Sequence, residues 1–95
     1  METWTFLSNY GHVLLCIAED PEIRLRDVAE RVGITERSTQ RIVADLISEG
    51  YLRQEKVGRR NRYDVQRELP LRHPIEKASE VGLLLELLGK SAAAA

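Results

Sequence analysis

The chain has no stretch near the roughly 18 consecutive apolar residues that a membrane-spanning helix needs, so no membrane partner is expected. Its start, Met1-Glu2-Thr3-Trp4, lacks the basic residues and apolar run of a secretory signal. Cysteine is nearly absent. Cys16 stands alone, cannot form an internal disulfide, and fits the reducing cytoplasm, the expected location. No repeat of fixed period occurs, and low complexity is confined to Ser91-Ala92-Ala93-Ala94-Ala95, which either extends a helix or is a vector-derived scar. Catalytic groupings are missing too. The chain has no phosphate loop, no Ser-His-Asp grouping of plausible spacing and no paired carboxylates with a pocket to hold them. A cleft of several hundred cubic ångströms is hard to carve from a core this small. An enzyme is therefore not expected.

Metal binding has little to build on. His12 and Cys16 are four residues apart and could face one another on a helix, but His73 is the only other histidine. A site needs three or four ligands, so Cys16 reads as a small buried hydrophobe, and no cofactor or metal is expected. A redox-sensing thiol would need a lowered pKa, for which the sequence gives no sign.

What the chain does have is an uneven charge. Its 95 residues are 43% hydrophobic and 31% charged, enough for one small soluble domain. The net charge of −1 hides three regions. Residues 1–23 carry four acids and no Lys or Arg; residues 24–67 carry eleven basic residues against seven acids; residues 68–95 carry three against four. A basic centre between acidic flanks points to one surface with an anionic partner.

Periodicity orders the elements. Val13, Leu14, Ile17 and Ala18 form one stripe of a helix over about 9–19, capped by Ser8 or Asn9 and ended by Asp20-Pro21. Trp4, Phe6 and Leu7 precede it, either as a staple beneath the helix or as an extension toward a second subunit. Ile23-Arg24-Leu25 alternates and predicts a minimal strand. A second helix covers about 27–32, with Val28, Ala29 and Val32 inward and Gly33 as its stop. Thr35 caps a third, about 36–49, burying Thr39, Ile42, Val43, Leu46 and Ile47, with Gly50 after it. The period then turns to two. Residues 51–57 and 62–65 predict a hairpin around Gly58-Arg59-Arg60-Asn61. A linker with Pro70 and Pro74 leads to a last helix over about 75–88, with Ile75, Ala78, Val81, Leu84, Leu85 and Leu88 on one side.

The stretch Asp27-Val28-Ala29-Glu30-Arg31-Val32-Gly33-Ile34-Thr35 resembles the helix-turn-helix of bacterial and archaeal transcription regulators. Such proteins keep a small residue where Ala29 stands, glycine at the turn and an apolar residue after it. The run Ile42 to Leu52 looks like a recognition helix entering a wing, and the hairpin Lys56 to Tyr63 looks like that wing. The chain is similar to winged helix-turn-helix regulators of the MarR-like group over about residues 9–67. One departure is Thr39, where those families usually have an aliphatic residue; its hydroxyl needs a partner, for which a carbonyl one turn back is suited.

The resemblance implies a mainly α fold with a small β-hairpin: a three-helix core, a wing and an extra C-terminal helix. With the residues outside the match, the chain is expected to divide into an N-terminal segment (1–8), a DNA-binding domain (9–67), a linker with a dimerising helix (68–90) and a tail (91–95). It implies that the third helix enters the major groove of double-stranded DNA. With Thr39, Ile42 and Val43 inward, Glu36, Arg37, Gln40 and Arg41 point outward. Arg suits guanine and Gln suits adenine. Glu36 would repel phosphate and so either accepts from cytosine or orients Arg37 or Gln40; Thr35 and Ser38 suit phosphate. In the wing, Lys56, Arg59, Arg60 and Arg62, with Asn61 among them, form a cationic tip for the backbone or minor groove. The competing reading is solvated charge on a winged-helix module that binds protein or RNA. Leu83 and Leu87 remain beyond the last helix's core stripe and, with Trp4 and Phe6, are expected to hold a homodimer. Any effector is unspecified, and without a separate ligand domain its pocket is expected between subunits.

Overall fold

The computed structural model describes residues 4–94; Met1, Glu2, Thr3 and Ala95, which belong to the N-terminal segment and the tail, lie outside the described residues. Helix α1 spans Asn9–Glu19 and buries Val13, Leu14, Cys16 and Ile17. Ser8 takes the extended cap conformation but its side chain makes no capping bond. Asp20 leaves the helix in extended geometry, as the following proline requires, and its carboxylate accepts from the Glu22 amide at 3.2 Å.

Helix α2 spans Leu25–Val32. The strand expected at Ile23-Arg24-Leu25 does not form. The Arg24 carbonyl instead accepts from Asp27 and Val28 at 2.9 and 3.0 Å, opening the helix two residues early. Three alternating residues are too few to fix a period, and Leu25, Val28, Ala29 and Val32 keep a helical spacing. One strand-like bond survives nearby, from the Tyr63 amide to the Pro21 carbonyl at 2.9 Å.

Gly33 ends α2 with φ 87°, where a Cβ would be strained, and it and Ile34 both donate to the Ala29 carbonyl. Ala29 is buried on α2, and α2 packs against α3. Helix α3 spans Glu36–Ser48. Thr35 caps it by accepting from the Ser38 amide at 3.0 Å. Thr39 is fully buried, and its hydroxyl donates to the Thr35 carbonyl at 3.1 Å, so the hydroxyl is satisfied one turn back as the sequence required.

Strands β1 (Leu52–Val57) and β2 (Arg60–Val65) pair antiparallel, with Leu52 opposite Val65 and Val57 opposite Arg60. The return strand thus begins at Arg60, two residues before the expected start, and the turn is only Gly58-Arg59. Gly58 has φ 64° while no other described residue except glycine has positive φ, the pattern of a turn with glycine first. Leu52 and Tyr63 bury their side chains from one face of the hairpin. Burial raises the Tyr63 phenol pKa, countered in part by a bond with Asn61.

Helix α4 spans Val81–Ala94, so the alanine tail continues the helix through Ala94. Its expected start near residue 75 is corrected. Leu71 donates to Ser79 and Val81 donates to Leu69, a short antiparallel bridge that turns the residues between into a loop. Ile75 and Ala78 lie on that loop and are exposed rather than packed. Val81 and Leu85 are buried, Leu84 and Leu88 half-buried, and α4 packs on α1. Gly82 permits the docking: a Cβ there would lie 2.8 Å from the Arg67 carbonyl oxygen. A cavity of about 580 Å³ opens beside α1, α3 and α4, although a cleft of that size is hard to carve from so small a core.

Candidate nucleic-acid interface

The two faces of α3 differ sharply. Thr39, Ile42, Val43 and Leu46 are buried, whereas Thr35, Glu36, Arg37, Ser38, Gln40 and Arg41 are exposed. Burial of the apolar stripe fixes the helix's rotation, and that rotation sets the polar residues outward together. Arg37, Gln40 and Arg41 make no side-chain hydrogen bond or ion pair with the described residues, so their donors are open to a ligand. The hydroxyls of Thr35 and Ser38 are differently placed. Thr35 accepts the Ser38 amide and donates to Ser38 Oγ at 2.9 Å, which leaves the Ser38 proton as the donor that can point outward.

Further along α3, Asp45 accepts from the Tyr10 hydroxyl at 2.5 Å, tying α1 to α3. That bond, with smaller contributions from desolvation and the Asp45 charge, raises the Tyr10 pKa; the Arg41 charge acts in the opposite direction.

The wing is less uniformly cationic in space than in sequence. Arg60 donates to the Glu22 carbonyl at 3.3 Å. Arg62 lies 3.7 Å from the Glu22 carboxylate and 3.4 Å from Asp64. The pairing also sets Arg62 opposite Glu55, and Arg53 opposite Asp64. Arg60 and Arg62 therefore brace the hairpin against the turn after α1, a role the sequence did not reveal because Glu22 lies far away along the chain. Lys56 and Arg59 form no ion pair among the described residues and remain the open wing cations. Asn61 stands opposite Lys56 on the face that carries Leu52 and Tyr63, beyond the buried part. Arg24 and Arg26, at the start of α2, are exposed and were not singled out by pattern, since no motif position marks them.

The four residues expected at a subunit contact are all exposed. Trp4 and Phe6 meet edge to face with ring centroids 5.0 Å apart; Leu83 and Leu87 lie one turn apart on α4. Among the described residues no three His, Cys, Asp or Glu side chains converge as metal ligands. Cys16 is buried, and desolvation raises its thiol pKa, the wrong direction for a reactive thiolate. No helix of the described residues is long and apolar enough to cross a membrane.

The order of three helices, a glycine turn between the second and third, and a hairpin after the third decides the architecture. The fold is a winged helix-turn-helix. Residues 11–53, from the first turn of α1 into β1, match the winged helix-turn-helix DNA-binding family. No curated protein matches the chain.

Proposed function

We propose that this winged helix-turn-helix is a sequence-specific, double-stranded DNA-binding transcription regulator that performs no covalent chemistry. The observation that carries this reading is the exposed Arg37, Gln40 and Arg41, unpaired among the described residues, on a helix whose opposite face is locked into the core. An α-helix fits the major groove, and these side chains suit base edges there. Ser38 and the helix start suit a flanking phosphate, while Lys56 and Arg59 follow the backbone or minor groove. The resemblance of the glycine turn and the hairpin supports a MarR-like regulator as the nearest group, and the lone buried thiol suits the cytoplasm.

Titration of a labelled duplex across a salt series tests the partner. Each phosphate contact contributes about 0.9 to the slope of log K against log salt. Replacing Lys56 and Arg59 together with Ala should therefore reduce the slope by roughly 1.8. Arg62→Ala should change it less, because Arg62 is already engaged by Glu22 and Asp64. Absence of any duplex complex at low salt would favour a protein- or RNA-binding module instead.

The regulator is proposed to act as a homodimer through the exposed leucines of α4, with Trp4 and Phe6 adding apolar area. Burying a leucine contributes about 1.5–3 kcal/mol, so two per subunit make a weak contact without the aromatics. A two-fold dimer would read half-sites about one helical turn apart. Light scattering should show a dimer for the wild type and a folded monomer after Leu83→Glu with Leu87→Glu. A monomeric wild type at high micromolar concentration would remove the dimer and the palindromic operator with it.

A further inference from the structure

The cavity beside α1 and α4 has a chemistry of its own. Its volume of about 580 Å³ lies in the range of small-molecule sites, and it sits within one chain rather than between subunits. Buried Leu14, Leu46 and Leu85 give it an apolar floor. Phe6 lines it while leaving 93% of its own surface exposed, with its ring meeting Trp4 edge to face.

The charged lining has one sign in excess. Glu49 is neutralised by Arg72 at 3.5 Å. Asp45 and Glu76 have no ion-pair partner among the described residues. The Asp45 carboxylate accepts one bond, from Tyr10, and retains further lone pairs. Such a site repels a carboxylate or phosphate and gives a neutral apolar molecule no ion pair. A cation on an apolar body gains both the floor and the carboxylate, and an aromatic ring at the mouth adds attraction for positive charge.

We propose that this cavity binds a small hydrophobic monocation, with Asp45 as its counter-ion and Phe6 against its apolar or charged face. Asp45 belongs to α3 and holds Tyr10 of α1, so the ligand meets the bond that ties those helices. Any effect on DNA affinity rests on the function proposed above; the binding itself does not.

Calorimetric titration of the full chain with three matched probes separates the possibilities: 1-naphthylmethylammonium, 1-naphthylacetate and 1-naphthalenemethanol. The ammonium should bind at least tenfold more tightly than the carboxylate. Asp45→Asn keeps an oxygen for the Tyr10 hydroxyl and removes the charge; it should bring the ammonium down to the affinity of the alcohol. Glu76→Gln, on an exposed loop, should weaken the ammonium several-fold and serves if Asp45→Asn disturbs the fold. Leu84→Trp should fill the cavity and abolish all three heats, with circular dichroism reporting the fold. Equal affinity for the carboxylate, indifference to both charge-removing variants, or no heat from the ammonium at millimolar concentration would overturn the proposal. So would a heat of protein dilution abolished by Leu84→Trp, which would seat a second copy in the cavity.

Discussion

Ile17→Ala should cost about 2–5 kcal/mol of folding stability, a large share of the roughly 5–15 kcal/mol that holds a small domain together. Ile17 is fully buried on α1, and α1 is the element on which α2, α3, α4 and β2 all pack. Removing three carbons there leaves a void that no single neighbour can close, so the loss exceeds the transfer energy of the missing atoms. Leu83→Ala is the matching control. Leu83 is 60% exposed, and at concentrations where the chain is monomeric its loss should fall within about 0.5 kcal/mol. Urea midpoints of the two variants check the expectation. A small effect at Ile17 would mean that α1 is not the hub of the core, and the placement of α3 against it would need revision.

The parts of this fold that could be read in the sequence are those where two signals coincide. Helix α3 has a helical stripe, a threonine cap and a terminal glycine, and its observed bounds fall within a residue of those expected. The hairpin combined alternation with a glycine turn, although the turn proved shorter than expected. Errors arose where one signal stood alone. Ile23-Arg24-Leu25 offered only three alternating residues, and the first turn of α2 absorbed the last of them. Ile75 and Ala78 kept helical spacing with Val81, but the pairing of residues 69–71 with 79–81 depends on backbone bonds that spacing cannot report. For the same reason the candidate site was legible on α3 and incomplete at the wing. A helix face follows from its own residues, whereas the engagement of Arg60 and Arg62 depends on Glu22, brought near by tertiary packing. The cavity also follows from where the loop before α4 runs.

Gln40→Ala and Arg41→Ala should each weaken binding to the preferred DNA site by about 1–3 kcal/mol, which corresponds to about 5- to 150-fold, and weaken binding to random duplex far less. Both side chains are exposed, outward on α3 and without a hydrogen bond or ion pair among the described residues, so truncation removes donors from the interface without disturbing the core. Being adjacent, the two need not add when combined. The contrast with the wing is the sensitive part. Lys56 and Arg59 are expected to meet phosphate, whose position carries no base identity, so their loss should weaken all duplexes alike and flatten the salt dependence. Glu36 gives the opposite sign: Glu36→Gln removes a charge that repels phosphate and should raise affinity for random duplex. Selection of bound sequences from a random pool supplies the preferred site, and titrations on it and on a scrambled duplex, at fixed salt, give the ratio. If Gln40→Ala and Arg41→Ala lower both affinities equally, these residues contact only phosphate, and sequence recognition must be sought elsewhere on α3 or at the exposed Arg24 and Arg26 at the start of α2.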